Sequence, residues 1–263
     1  MRALTLLAIF SLVGCASGGD EAANGGGNNA IDDDGDGLSV TEESDLGTSD
    51  GDLDSDGDGY QDAWEVTEGS DPADGTSLIY DGGWPYNPGK DAMADPGWDG
   101  KARVGKAMPR FAWVDQNEQE VDIYDFAGQG KPVVIDVSGV WCYKCNELAS
   151  LIEGEASELS GYGWDNLGSV IDTGKVLYIT VLDAGNGSAA TEIDQKAVNK
   201  WVKAYPNPNI AVLQDVDQEL IAWLKGAGYP TLFMLDENLE ITVYDKADYT
   251  AVLTAMMALN DEG

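Results

Sequence analysis

Histidine is absent from this 263-residue chain, and cysteine occurs only three times. With so few soft donors, four nitrogen or sulfur ligands cannot be assembled, which argues against a tetrahedral zinc centre. The same lack removes the histidine that a copper-carrying site would need. Positive charge is scarce too. Lysine and arginine number 14 against 48 acidic residues, a formal net charge of −34. Such acidity repels nucleic acid and anionic lipid headgroups, so neither is an expected partner, and it favours hard cations. Long apolar runs are also missing near the start. Leu4 to Val13, preceded by Arg2, is too short to span a bilayer and has the form of a signal-peptide core.

That run ends in Leu12-Val13-Gly14-Cys15, followed by Ala16-Ser17, which resembles a bacterial lipoprotein lipobox. The resemblance implies a signal peptide over 1–14, cleavage before Cys15, and lipid attachment to its sulfur. Several acyl chains hold a protein to a membrane where one is marginal. No Asp follows Cys15, which resembles outer-membrane sorting, so a cell-envelope location facing the periplasm is expected. The stretch 15–31, rich in Gly, Asn, Ala and Ser, reads as a flexible tether. With Cys15 lipidated, Cys142 and Cys145 are the remaining pair. In an oxidising compartment such a pair is either redox-active or a static bridge.

The negative charge is concentrated at the front: residues 16–100 hold 23 acidic residues and one basic residue, Lys90. Within 32–75 two units share one spacing. The clearer one places Asp54, Asp56, Asp58, Asp62 and Glu65 at positions 1, 3, 5, 9 and 12, with Gly59 at position 6. A hard cation takes six to eight oxygens, and this spacing is that of an EF-hand-type calcium loop. The Tyr60 carbonyl would add one oxygen and Glu65 would close the site. The other unit has Asp32, Asp34, Asp36, the Leu38 carbonyl and Glu43 in the same places, but Val40 at the ninth position, where a water could serve. These units resemble thrombospondin type 3 and dockerin-like calcium repeats. The resemblance implies structural calcium and a spacer that the ion stiffens; no organic cofactor is expected. An acidic, solvated spacer is the alternative.

Residues 76–102 are punctuated by Pro and Gly and carry Trp84, Tyr86 and Trp98, so turns and extended chain are expected, with the aromatics against the domain that follows. That domain, 103–263, alternates strands and helices and is read as an α/β fold with a mixed sheet. Phe111–Val114 and Glu120–Tyr124 form a hairpin. Strands follow at 133–137, 176–182, 210–213, 231–235 and 241–244. Helices are expected at 142–159, 167–171, 190–204, 219–224 and 248–259.

The chemistry is concentrated at the junction of the 133–137 strand with the next helix, in Trp141-Cys142-Tyr143-Lys144-Cys145. A Cys-x-x-Cys where a helix begins suits thiol–disulfide exchange, because the helix N-terminus favours the Cys142 thiolate. Lys144 adds a positive charge nearby. Cys142 would attack and Cys145 would resolve. Together with Val104-Gly105-Lys106, Pro109 and Phe111, Asp125 to Asp136, and Tyr229-Pro230-Thr231, this motif resembles the thioredoxin fold. The nearest likeness is to the tethered TlpA/ResA-type thiol–disulfide oxidoreductases of the redoxin group, over roughly 103–260. The resemblance implies a first strand at 104–111, a cis Pro230 beside the dithiol, and an insertion over 190–213. It also implies that Asp136 is a buried acid able to take the Cys145 proton, and that Trp141 shields the site. Protein thiols or disulfides of the envelope are the implied partners. Two alternatives remain open. One is a peroxiredoxin-like peroxidase, which needs an arginine near the thiol; the other is a calcium-stiffened binding lipoprotein with a static disulfide.

Overall fold

A computed structural model describes residues 31–98, 102–184, 193–225 and 228–260. The signal segment and Cys15 lie outside the described residues, as do residues 190–192 of the helix expected from Ala190. No helix among the described residues is long and apolar enough to cross a membrane.

Two acidic loops come first, each leading into a two-turn helix: α1, Val40–Leu46, and α2, Asp62–Glu68. Each helix stops at a glycine in the left-handed conformation, Gly47 and Gly69, the usual residue for that cap because it lacks a Cβ. After a strap of turns come β1 (Ala112–Val114) and β2 (Glu120–Asp122), an antiparallel hairpin. The main sheet contains β3 (Val133–Ser138), β4 (Leu177–Asp183), β5 (Ile210–Asp215), β6 (Thr231–Leu235) and β7 (Ile241–Tyr244). Its order is β5-β4-β3-β6-β7, with β3, β4 and β5 parallel and β6 and β7 antiparallel to their neighbours. The helices are α3 (Tyr143–Ile152), α4 (Leu167–Asp172), α5 (Gln195–Ala204), α6 (Glu219–Trp223) and α7 (Thr250–Ala258). This α/β arrangement, a mixed five-stranded sheet with β3 at its centre, is the thioredoxin fold that the sequence suggests.

Every residue of β3 is buried, because both faces of the sheet are covered, and the strand is accordingly apolar except at Asp136 and Ser138. Alternate residues serve different layers. Val133, Ile135 and Val137 pack with the hairpin, α6 and the strap. Val134 packs with α3, α4, α5 and α7, in the layer that also holds Cys142 and Cys145. Asp136 shares the face of Val134 and is the one ionisable side chain on this strand.

The strap, 76–98, lies on the domain rather than beside it. Tyr80 and Trp84 join the first core layer. Trp98 packs on Phe111 and edge-on against Trp223, with ring centroids 6.5 and 6.2 Å apart. Two buried carboxylates of the domain take donors from it. Asp125 accepts from the Tyr80 hydroxyl at 2.6 Å, the Asn87 amide at 2.9 Å and the Lys90 ammonium at 2.9 Å. Asp115 accepts from the Trp84 indole at 2.8 Å. Buried carboxylates without such donors cost several kcal/mol, so the strap completes the domain.

Three local expectations are corrected. Residues 104–111 form no strand beyond a single bridge, Ala107 to Glu240; Pro109 has no N–H for a ladder. Ile123–Phe126 is a 3₁₀ turn rather than strand, because the Asp122 carboxylate accepts the Tyr124 amide at 2.9 Å. Helix α3 ends at Ile152, not Leu159. Gly154 follows at once, and Ser157 folds back to donate to the Glu147 carbonyl at 2.7 Å.

Candidate active site and acidic loops

Cys142 is the N-cap of α3 and Cys145 lies in its first turn. The two are joined by a disulfide, with Cα atoms 5.3 Å apart. The Cys142 sulfur accepts the Cys145 amide at 3.1 Å. On reduction, that N–H and the helix N-terminus are in place to stabilise a Cys142 thiolate. Cys142 is 5% exposed and Cys145 fully buried, so the outer sulfur is the one a partner can approach.

The Tyr229–Pro230 peptide is cis. It immediately precedes β6, whose Thr231 pairs with Val137 of β3, so the peptide stands beside the turn that carries the cysteines. Trp141 and Tyr229 meet edge to face, with centroids 5.0 Å apart. The indole also lies over Gly139. A Cβ there would sit 2.8 Å from Trp141 Nε1, so this turn needs glycine for close approach. Tyr229 is anchored in turn: its hydroxyl donates to Asp183 at the end of β4, and Gln218 Nε2 donates to the same Asp183 oxygen at 3.3 Å. Nothing in the local sequence signals this anchor.

Asp136 lies under the dithiol layer, 2% exposed. One oxygen accepts from Ser138 Oγ at 2.8 Å and the other from the Tyr178 hydroxyl at 3.2 Å. Burial pushes its pKa up to about 7, against the opposing pull of these two hydrogen bonds. The acid is therefore poised to exchange a proton near neutral pH. Tyr178 was not visible as a site residue in the sequence; its partner is 42 positions away. Lys144 is exposed and pairs with Glu158 at 3.4 Å. Arg110 is engaged by Asp91 and Asp122, at 2.7 and 2.6 Å.

In the acidic loops, Asp32, Asp34 and Asp36 converge, as do Asp54, Asp56 and Asp58, each trio offering oxygens within 4.8 Å of one another. Loop amides fix them. Asp54 accepts from Gly57 and Gly59, Asp56 from Asp58, and Asp58 from Tyr60. Asp32, Asp34 and Asp36 repeat the pattern with Gly35, Gly37, Asp36 and Leu38. Gly37 and Gly59 turn the chain at φ 108° and 104°, a conformation that side chains resist. What remains is a set of buried carboxylate oxygens without donors: Asp34 Oδ2, both Glu43 oxygens, Asp56 Oδ2, Asp58 Oδ2 and Glu65 Oε2. Burial pushes both Glu43 and Glu65 up to about 7, and neighbouring carboxylates add to this. Inward, donor-free, negatively charged oxygens are the donor set of a hard cation. Asp62 stands apart: its oxygens accept the Ser55 amide at 2.9 Å and hydroxyl at 2.7 Å. It braces the loop from outside the converging trio.

Residues 54–75 match the family described as the bacterial TSP3 repeat. Among solved structures, the chain is similar to the exposed lipoprotein thioredoxin of Streptococcus pneumoniae: 20% identity, 57% of this chain and 98% of that one, TM-score 0.40. It is also similar to a thiol:disulfide interchange protein, DsbE, from Chlorobium tepidum: 18% identity, 60% and 99% covered, TM-score 0.44. A third is the thioredoxin domain of a thiol-disulfide oxidoreductase from Bacteroides vulgatus, at 16% identity, 59% and 99% covered, TM-score 0.40. None of the curated proteins compared with the chain matches it. By its own strand order, the chain has a thioredoxin-like fold with a Cys142–Cys145 pair at the start of a helix, preceded by an acidic segment that contains a TSP3 repeat.

Proposed function

We propose that this protein is a lipid-anchored thiol–disulfide oxidoreductase of the bacterial cell envelope. It exchanges disulfides with protein substrates through Cys142 and Cys145. The observation that carries the reading is the disulfide at the start of α3; the cis Tyr229–Pro230 peptide and the buried acid Asp136 on the strand before it support it. In the reducing direction, the Cys142 thiolate attacks a partner disulfide, forming a mixed disulfide and releasing one partner thiolate. Cys145 then gives its proton to Asp136 and attacks the Cys142 sulfur. The second partner thiolate leaves, and the Cys142–Cys145 bond forms. The partner gains two electrons and the protein loses two; with the opposite difference in potential the sequence runs in reverse. Trp141 and the backbone at Tyr229–Pro230 border the groove that an extended partner segment would occupy.

Each acidic loop holds a calcium ion in this reading. Asp32, Asp34, Asp36, the Leu38 carbonyl and Glu43 form one site; Asp54, Asp56, Asp58, the Tyr60 carbonyl and Glu65 form the other, with Asp62 as brace. The ions neutralise the donor-free oxygens and order the segment between the lipid and the domain. Lipid on Cys15 anchors the chain, with the domain facing the periplasm.

The test is disulfide turnover by the full-length chain. Cys145→Ser should trap a mixed disulfide with a protein substrate, and Cys142→Ser should trap none. The reading fails if wild type is no faster than Cys142→Ser and mild thiols leave the bond intact. That result would favour a static bridge, which the low exposure of both cysteines makes the second reading. Replacing Cys15 with Ala should release the protein from the membrane fraction; retention would overturn the anchor.

A further inference from the structure

The two acidic loops are copies offset by 22 residues, so that Asp32 corresponds to Asp54 and Glu43 to Glu65. Their surroundings differ at the closing glutamate. In the second loop, Ser70 Oγ donates to Glu65 Oε1 at 2.9 Å, and an acid, Asp62, fills the ninth position. In the first, the counterpart of Ser70 is Thr48, whose hydroxyl turns to the Glu43 main-chain carbonyl at 3.4 Å. The ninth position is Val40, which has no side-chain oxygen. Glu43 is fully buried, and neither of its oxygens receives a donor.

Asp50 is one of the carboxylates around Glu43, together with Asp34 and Asp36. It comes from beyond α1, where the second loop carries Pro72 instead. Asp50 is half-buried and accepts the amide of Asp33, inside the first loop, at 3.3 Å. Two carboxylates held face to face repel unless a positive charge lies between them. One proton would settle that pair. It would leave Asp34 Oδ2 and the Asp32–Asp34–Asp36 trio uncompensated, whereas a divalent cation among all five compensates them together.

We propose that Asp50 is a ligand of the calcium ion in the first acidic loop, supplied from outside the twelve-residue loop in place of the oxygen that Val40 lacks. The inference rests on the calcium reading above. It gives the first loop five carboxylates, Asp32, Asp34, Asp36, Glu43 and Asp50. It also ties the segment leading into the second loop to the ion of the first.

The experiment is calorimetric titration of the full-length chain with calcium chloride. An Asp54→Ala parent disables the second loop and isolates the first. Adding Asp50→Ala should weaken the remaining site by on the order of tenfold or more, since affinity in such loops follows the number of ligand charges. Asp50→Asn, whose side-chain oxygen can still accept the Asp33 amide, should weaken it as well, because the charge is lost. Unchanged affinity in either variant overturns the inference. So does a parent that binds no calcium while wild type binds one ion. If wild type shows no saturable binding at all, the calcium reading itself falls, a distinguishable result.

Discussion

The hydroxyl of Tyr60 donates to the carbonyl of Trp84 at 2.5 Å, and Tyr60 is 4% exposed. Tyr60 belongs to the second acidic loop, where its own carbonyl is a proposed calcium ligand. Trp84 belongs to the strap and donates from its indole to buried Asp115. Beside this pair, Tyr86 of the strap donates to Glu68 of α2 at 2.6 Å and packs on Trp64, with centroids 5.7 Å apart. A continuous path of hydrogen bonds and ring contacts therefore joins the acidic loop to the thioredoxin-like domain.

Calcium is accordingly expected to stabilise the domain as well as the loops. A ligand at a hundred times its dissociation constant contributes about 2.7 kcal/mol per site, and the main thermal transition should rise when calcium replaces chelator. Tyr60→Phe keeps the ring but loses a hydrogen bond worth about 1 kcal/mol, and should shrink that rise. Calorimetry with and without chelator measures both. A transition indifferent to calcium in wild type would show that the path carries no coupling.

Asp136→Asn should separate stability from activity. Burial raises the folded pKa of Asp136 to about 7, from an ordinary carboxyl value of 3.8. Its stabilising contribution is therefore fully present below about pH 4 and lost as pH rises through 7. Above pH 7 the buried carboxylate is a penalty, with an upper bound of about 4 kcal/mol from the size of the shift. Asn removes that penalty, so the variant should be more stable than wild type at pH 8 and nearly equal at pH 4. Thiol exchange should slow, by roughly tenfold or more for a lost proton acceptor. Denaturant unfolding at the two pH values, with turnover alongside, tests this; equal stability at pH 8 would contradict it.

Tyr229→Phe keeps the ring against Trp141 but removes the hydroxyl that Asp183 accepts. Leaving a buried carboxylate short of a donor costs about 1–3 kcal/mol. Asp183→Asn retains an acceptor and should cost less. Urea midpoints rank the two variants; the reverse order would mean that the contact does not anchor Tyr229.

Gly139→Ala places a methyl group against the Trp141 indole. Either the indole leaves Tyr229 or the turn shifts, at about 1–3 kcal/mol for an overpacked site. Tryptophan fluorescence and disulfide turnover should both change. A variant unchanged in both would show that Trp141 has room to move without consequence for the dithiol.

Much of this arrangement was legible from local pattern. β6 and β7 run where the sequence places them, and β3 departs by one residue; in β3 and β6 burial on both faces leaves a largely apolar run in the chain, whereas in β7 only Ile241 is buried. The Cys-x-x-Cys, the late Tyr-Pro and the alternating Asp residues each announce themselves within a few positions. The reach of α3 was overestimated, since Leu159 continues an apolar pattern that Gly154 had already interrupted. Long-range side-chain contacts left no trace: Tyr178 on Asp136, Tyr229 on Asp183 and Trp84 on Asp115 join residues 42, 46 and 31 positions apart. Asp50 was hidden for a related reason, lying seven positions beyond the end of the spacing that defines its loop.

Asp115 and Asp125 take hydrogen bonds from Tyr80, Trp84, Asn87 and Lys90, and this bears on how such a protein can be assembled by gene rearrangement. A recombination joint placed just before the first hairpin would transplant the sheet with Asp125 stripped of its donors and Asp115 left with only those of its own turn, Asn117 and Gln119. A joint upstream of the strap would carry a complete core. The aromatic strap must travel with the domain it covers, and exchanging the second acidic repeat would cost the contacts of Tyr60, Trp64 and Glu68 with Trp84 and Tyr86.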